Sequence, residues 1–316
     1  MRYLGVDIGG TKIAAGIVDE NFHILAEETV PTDVAGGPNA ITADIVRAVQ
    51  AACAQAGTCV DAFPYVGIGC AGTIDAKAGV VKYANNLRFE SDVSLAAPVA
   101  AALGRPVYLE NDANCAGLGE FLALEEHRRI QSFVMITLGT GIGSACVIDG
   151  KLYRGFNGAA PELGHCIIEA DGILCDCGAR GCWEMYCAGH SLRDKAQELA
   201  RRNPQSAMWA QAGGKLERID GHAAFAAWRE GDAAAGEVVN YYLHYFKVGI
   251  ANAINAFQPE VLALGGGICN QGDILLEAAR EAVHTGSYCK TLQPTTVIRA
   301  RLGSKAGIFG AAYLRR

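Results

Sequence analysis

A strand, a glycine-rich turn and a returning strand occur twice in this chain, 130 positions apart, and this constrains the fold more than any other feature. Asp7-Ile-Gly9-Gly10-Thr11-Lys12-Ile-Ala-Ala-Gly-Ile-Val-Asp19 aligns with Thr137-Leu-Gly139-Thr140-Gly141-Ile-Gly143-Ser-Ala-Cys-Val-Ile-Asp149, sharing the first glycine, an alanine and the closing aspartate. Three identities are weak alone, but each segment is also followed later by an apolar strand ending in glycine, at Gly69 and at Gly265. The pattern predicts two α/β halves of one plan. Paired domains of this kind bind ligands at a cleft between them, here lined by glycine turns.

The chain opens on three strands in quick succession, Tyr3 to Asp7, Ile13 to Asp19 and Ile24 to Val30, which is a meander and not a strand–helix–strand unit. An amphipathic helix follows from about Asn39 to Ala56, with Ile41, Ile45, Val46, Val49 and Cys53 on one stripe. Strands Tyr65 to Gly69 and Val107 to Glu110 complete this half. The second half reads Phe133 to Leu138, Ser144 to Asp149, a long helix from about Val238 to Phe257, and Val261 to Leu264. The stretch from Arg201 to Glu217 is polar and reads as loop with a short helix.

With 316 residues, 51% of them hydrophobic, the chain has enough apolar surface for large cores. A net charge of −6 without a Lys/Arg-rich run argues against nucleic acid as a partner. No run approaches the ~18 apolar residues of a membrane span, and the start reads as a strand instead of a signal peptide, so the expected location is cytoplasmic and no membrane partner is expected. Of twelve cysteines, Cys53, Cys59, Cys70, Cys115, Cys146, Cys166, Cys187, Cys269 and Cys289 read as small apolar fillers.

Gly9-Gly10-Thr11 joins two strands, so it is neither the P-loop nor the Rossmann turn, both of which open a helix. Its chemistry still suits phosphate: the glycines admit an oxyanion to the backbone, successive N–H groups form an anion nest, Thr11 adds a hydroxyl and Lys12 a charge. Asp7 is placed to hold Mg²⁺ through water. The second turn, Gly139-Thr140-Gly141, repeats the device, and Gly265-Gly266-Gly267 after an apolar strand offers backbone to a base or ribose. Together these favour a nucleoside triphosphate. Asp112, in Glu110-Asn111-Asp112-Ala113-Asn114, reads both as the N-cap of a helix and as a carboxylate able to accept the proton of an attacking alcohol.

Gly164-His165 and Cys175-Asp-Cys177-Gly-Ala-Arg-Gly-Cys182-Trp-Glu184 bring one imidazole and three thiols within reach of one ion. Four N/S donors interleaved with glycines predict a closed structural zinc site on His165, Cys175, Cys177 and Cys182. Glu162 and Glu184 bracket it, and carboxylates beside an imidazole suit sugar hydroxyls.

These motifs, taken in chain order with Leu138-Gly-Thr-Gly-Ile-Gly143 and Leu264-Gly-Gly-Gly267, resemble the ROK family of sugar kinases, its glucokinases most closely. The resemblance covers essentially the whole chain. It implies a two-domain, actin-like (ribonuclease-H-like) α/β fold, with a small domain over 1–112, a larger one over 113–303 carrying the zinc loop, and a C-terminal helix over 304–316 returning to the first. It implies ATP with Mg²⁺ as phosphoryl donor, the 6-hydroxyl of glucose as acceptor, and Asp112 as general base. Gly72, Asn111, Asp112, Glu162, His165 and Glu184 would be the sugar contacts, zinc would sit on the four ligands named, and the protein would be a homodimer or homotetramer. Three sugar-side positions depart from the family pattern: Ala71 where proline is frequent, Pro161 where glycine is usual, and Asn86-Leu87-Arg88-Phe89 without a common tryptophan. N-acetylmannosamine kinase and fructokinase are the nearest alternatives. A ROK-type sugar-responsive repressor would need a helix-turn-helix before the first strand, for which a strand at Tyr3 leaves no room.

Overall fold

The computed structural model describes residues 1–125 and 127–315. Contacts group the chain into two compact units, one of Met1–Gln131, Ala145–Pro161 and the segment from Arg301, the other of Ser132–Ser144 and Glu162–Ala300.

In the first unit, β1 (Arg2–Ile8), β2 (Lys12–Asp19) and β3 (Ile24–Pro31) form the expected antiparallel meander. On its other side β1 pairs in parallel with β4 (Val66–Cys70), which is followed by a three-stranded sheet of β5 (Thr73–Asp75), β6 (Val80–Tyr83) and β7 (Val93–Ser94). β4 pairs in parallel with β8 (Val107–Asn111), giving the order β3-β2-β1-β4-β8. Helix α1 (Gly37–Gln55) buries Ile41, Ile45, Ala48, Val49, Ala52 and Cys53 in the core that also takes Leu4, Val6, Ile13 and Ile68. Helices α2 (Ala96–Leu103) and α3 (Asp112–Leu122) flank β8 in sequence.

A second five-stranded sheet repeats the strand order. It contains β9 (Ser132–Leu138), β10 (Ile142–Ile148), β11 (Lys151–Leu152), β12 (Val261–Gly265) and β13 (Thr296–Arg299) in the order β11-β10-β9-β12-β13, with β12 parallel to both β9 and β13; β9, β12 and β13 belong to the second unit and β11 to the first. The boundary between the units passes along β10, between Ser144 and Ala145. Helices α4 (Glu184–Cys187), α5 (Gly189–Arg202), α6 (Met208–Gln211), α7 (Gly221–Arg229), α8 (Ala233–Phe257) and α9 (Ile274–Gly286) fill the rest. Helix α8 starts five residues earlier than its apolar period suggests, because the Asp232 carboxylate accepts from Ala235 N at 2.7 Å and sets the N-cap there.

The last helix, α10 (Ala306–Ala312), belongs to the first unit, and all seven of its residues are buried. It is shorter than the helix expected over 304–316; a 3₁₀ turn occupies Gly303–Lys305, and Arg316 lies outside the described residues. Glu120, itself buried, fixes the approach by accepting Arg301 N and Leu302 N at 2.8 and 2.7 Å. Glycines let α10 lie backbone against backbone. A Cβ on Gly67 of β4 would fall 1.8 Å from the Ala311 carbonyl oxygen, and one on Gly310 would fall 1.6 Å from that of Cys115 in α3. Because α3 travels with the first unit, the division after residue 112 drawn from the resemblance differs from the one the contacts give.

Six of the nine cysteines expected to fill cores do so, but Cys59 and Cys166 are exposed and Cys289 is half-buried. No helix among the described residues is long and apolar enough to cross a membrane. Because neither carbonyl oxygen can yield without moving α10, Gly67→Ala is expected to cost at least ~3 kcal/mol, read as a lowered urea midpoint in chemical denaturation.

Candidate active site

Asp7 and Asp112 come from the ends of β1 and β8 in the first unit. The sequence offered Asp112 as N-cap of the helix, but that role falls to Asn111, whose extended backbone and side-chain oxygen meet Asn114 N at 3.0 Å. Asp112 is the first helical residue instead. Its Oδ1 accepts Ala113 N at 2.9 Å, and its other oxygen is not needed by the cap. Asn111 is held at both ends of its amide, since Nδ2 donates to the Gly72 carbonyl at 3.0 Å. Gly72 has φ +112, and a Cβ there would lie 2.1 Å from the Tyr83 carbonyl oxygen, so only glycine brings this loop to Asn111.

The two carboxylates interact. Burial pushes the Asp7 carboxyl up to about 6 from an ordinary 3.8, the Asp112 charge adds to this, and Lys12 opposes it. Burial also raises Asp112, against the pull of the Ala113 N–H. Next to Asp7 the β1–β2 turn is closed by Gly9 N donating to Lys12 O at 2.9 Å, with Thr11 and Lys12 exposed. A Cβ on Gly10 would meet the Asn86 carbonyl oxygen at 2.7 Å. Neither Gly9 nor Gly10 has a positive φ, and the same holds for Gly139, Gly141 and Gly143. Any anion nest in these turns is therefore formed without left-handed glycines.

In the second unit the turn Gly139–Ser144 is fastened at four points. Gly189 N donates to Gly139 O at 2.8 Å, His190 Nδ1 to Thr140 O at 3.1 Å, Ile142 N to Glu184 Oε2 at 2.8 Å, and Leu163 N to Ser144 Oγ at 3.1 Å. Gly141 is glycine because a Cβ would lie 2.4 Å from Glu184 Oε2. A cavity of about 500 Å³ opens beside this turn. Gly139, Thr140 and Gly267 line it, joined by His190, Arg193, His222, Phe225 and Gln271, none of which the sequence reading singled out. The starts of α5 and α7 both reach it, with the Asp220 side chain capping α7 through Ala223 N at 3.0 Å. The signal available in the sequence was that cap, Asp220-Gly-His-Ala-Ala-Phe225, shortly after the polar stretch from Arg201 to Glu217. Gly265 and Gly266 are not among the lining residues: their Cβ positions fall against Met135 and the Leu138 backbone, which makes them packing glycines.

His165, Cys175, Cys177 and Cys182 converge so that their ligand atoms all lie within 4.8 Å of one another. His165 Nδ1 is 3.6 Å from Cys175 Sγ, and Cys177 Sγ is 3.5 Å from Cys182 Sγ. A tetrahedral ion with bonds of about 2.3 Å to sulfur and 2.0 Å to nitrogen needs edges of roughly 3.5 to 3.8 Å, so the donor set fits zinc. Gly181, with φ +81, makes the loop possible: a Cβ would lie 1.7 Å from the Glu169 carbonyl oxygen.

The sequence pattern of the ROK family matches residues 3–316. The chain belongs to the ROK family. It is 38% identical over 318 residues to a glucokinase of Streptomyces coelicolor, covering 99% of this chain and 97% of that one. It is 31% identical over 324 residues to an N-acetyl-D-glucosamine kinase of Aliivibrio fischeri, covering 99% and 98%. Its structure is similar to that of a ROK family glucokinase from Streptomyces griseus solved in complex with glucose and AMPPNP, with a TM-score of 0.84 at 35% identity and 99% of both chains covered. The fold of this ROK-family chain is the actin-like one.

Two outcomes are expected. The purified protein should carry one equivalent of zinc by elemental analysis, and Cys177→Ser should lose it together with several degrees of thermal midpoint. For Asp7 the sign follows from its raised value. Between pH 3.8 and about 6 the folded chain holds a proton that the unfolded chain releases, so stability falls as pH rises through that window, by roughly 2 to 3 kcal/mol in all. Without nucleotide or magnesium, Asp7→Asn should therefore melt above the parent at pH 8, and the gap should close by pH 4.

Proposed function

We propose that this ROK-family protein is an ATP-dependent hexose kinase that phosphorylates the 6-hydroxyl of glucose, with Asp112 as general base. The observation that carries the reading is the Asn111–Asp112 junction. One residue caps α3 and is locked by Gly72, while the next presents a carboxylate whose proton affinity is raised by burial. Such a carboxylate suits proton removal from an alcohol better than an ordinary one, because its proton affinity lies nearer the working pH.

In this reading Asn111 orients the sugar hydroxyls, and Asp112 takes the proton of the 6-hydroxyl as its oxygen attacks the γ-phosphorus. The bond from that phosphorus to the β–γ bridging oxygen breaks, ADP departs, and the proton passes from Asp112 to solvent. Bound Mg²⁺, held by Asp7 through water, would supply charge to the phosphate oxygens. Lys12 and Thr11 add a cation and a hydroxyl, and Gly9 and Gly10 keep that turn free of side chains. We assign the nucleoside end of ATP to the cavity beside Gly139, Thr140 and Gly267, with Gly141 shaping its turn. The cavity has the volume and the apolar wall, from Phe225 and Leu192, that a base needs. We retain Glu162, His165 and Glu184 as sugar contacts. The zinc-facing nitrogen of His165 is Nδ1, so Nε2–H is the one to offer a hydroxyl.

Identity with the Streptomyces coelicolor glucokinase exceeds that with the N-acetyl-D-glucosamine kinase, which supports glucose. The second reading, an N-acetylhexosamine kinase, rests on the full-length match to the latter. A coupled assay over glucose, mannose, fructose, N-acetylglucosamine and N-acetylmannosamine should give glucose the highest kcat/KM. Asp112→Asn should lower kcat by about 10²- to 10⁴-fold while calorimetry shows sugar affinity retained. Turnover near that of the parent would remove Asp112 from the role of base.

A further inference from the structure

Glu110 lies one residue before the Asn111–Asp112 pair and is 2% exposed, with its carboxylate fully engaged. Oε1 accepts Asn111 N at 3.0 Å and Asn114 Nδ2 at 3.1 Å, and Oε2 accepts Arg154 Nε at 2.5 Å. Arg154 is itself anchored, with Nη1 donating to the Leu152 carbonyl at 3.3 Å. These residues all belong to the first unit. Buried Asn114 is oriented by Glu110, because its Nδ2 donates there while its Oδ1 has no partner among the described residues. The backbone N–H of Asn114 in turn holds the Asn111 side chain. One carboxylate thus governs the strand end, the cap and the first turn of α3.

An ion pair with one buried member adds little net stability over an apolar replacement, because desolvation of the carboxylate offsets much of the attraction. What it does supply is direction: Oε2 faces the guanidinium and Oε1 is left to fix two N–H groups. We propose that Glu110 and Arg154 are positioning residues for phosphoryl transfer, their ion pair locking the β8-to-α3 junction so that Asn111 and Asp112 meet the substrate hydroxyl in one orientation. Neither touches substrate. The proposal rests on the reading of Asp112 as base. It also gives a role to the chain between β11 and Glu162: through Arg154, that segment is tied to the catalytic junction.

The test compares Arg154→Ala, Arg154→Met, Arg154→Lys, Glu110→Gln and the double variant Glu110→Gln/Arg154→Ala. Each is assayed with the sugar selected by the panel above. Competent sites are counted by calorimetric titration with that sugar, so that kcat is expressed per binding site and a misfolded fraction does not enter. Arg154→Ala and Arg154→Met should lower kcat per site by about 10- to 100-fold with sugar affinity changed less than threefold, as expected for a displaced catalytic group. Methionine keeps the stem and its packing, so a purely structural role would leave that variant near the parent. Arg154→Lys, which restores the charge, should recover most of the loss. The double variant should be no worse than Arg154→Ala alone, because both substitutions break one pair. A kcat per site within twofold of the parent in Arg154→Met, no recovery in Arg154→Lys, or multiplied losses in the double variant would each overturn the proposal. Failure of the base reading shows separately, as undiminished turnover in Asp112→Asn.

Discussion

Three carboxylates, those of Asp7, Glu110 and Asp112, are held largely out of water at the ends of β1 and β8, with β4 between, and the cost of that arrangement shapes the working end of the first unit. Each is met differently. Glu110 is neutralised by Arg154 and two N–H donors. Asp112 is met by the Ala113 N–H, its own N–H and the Asn111 side chain, which together do not outweigh its burial. Asp7 has burial and a like charge against it, and only Lys12 in its favour. The thiols of Cys70 and Cys115 sit among these acids, and burial with the surrounding negative charge pushes both well up. They stay protonated and serve as apolar filler where a thiolate would be intolerable. Asp7 is left with a burial cost that Lys12 only partly opposes, and the Mg²⁺ proposed above would offset it.

The same strand order in the two sheets means that two similar turns had to be stabilised by different neighbours. In the first unit the turn after β1 is glycine because the Asn86 carbonyl passes over Gly10. In the second it is glycine because Glu184 reaches across to Ile142 N and occupies the space over Gly141. Glycine at corresponding places therefore has unlike causes, and similarity of pattern carries over to topology more safely than to chemistry.

The duplicated architecture was legible in the sequence because strand, turn and strand are local patterns, and an offset of 130 residues exposes them even at three identities. The convergence of His165, Cys175, Cys177 and Cys182 was legible too, since the three cysteines lie within eight residues. The order of roles at Asn111 and Asp112 was not. Both are good caps, and only the extended backbone of Asn111 decides between them. His190, Arg193 and Gln271 left no signal either, and His222 only the Asp220 cap beside it. They are ordinary polar residues without periodicity, and they meet at one cavity because two helix starts and a 3₁₀ turn converge there. Glu110 and Arg154 were invisible for a further reason: an isolated acid and an isolated base 44 positions apart have no spacing rule, and only the fold pairs them.

The placement of Glu184 alters what a zinc loop can mean in this fold. Read from sequence, the loop is a closed zinc site bracketed by Glu162 and Glu184, which with His165 were expected to meet the sugar. In the structure the loop grips the Gly139–Ser144 turn from two sides. Glu184, two residues after the ligand Cys182, accepts Ile142 N, and Gly164, one residue before the ligand His165, lies so close to Ile142 that a Cβ would meet its carbonyl oxygen at 2.4 Å. Leu163 adds its N–H to Ser144 Oγ. Both ends of the Cys/His loop thus bear on one residue, Ile142, in the turn whose Gly139 and Thr140 line the cavity. Rigidity at the four ligand atoms is transmitted to the backbone on which the nucleotide is proposed to rest. In the function proposed above, the loop therefore bears on the phosphoryl donor as well as on the sugar.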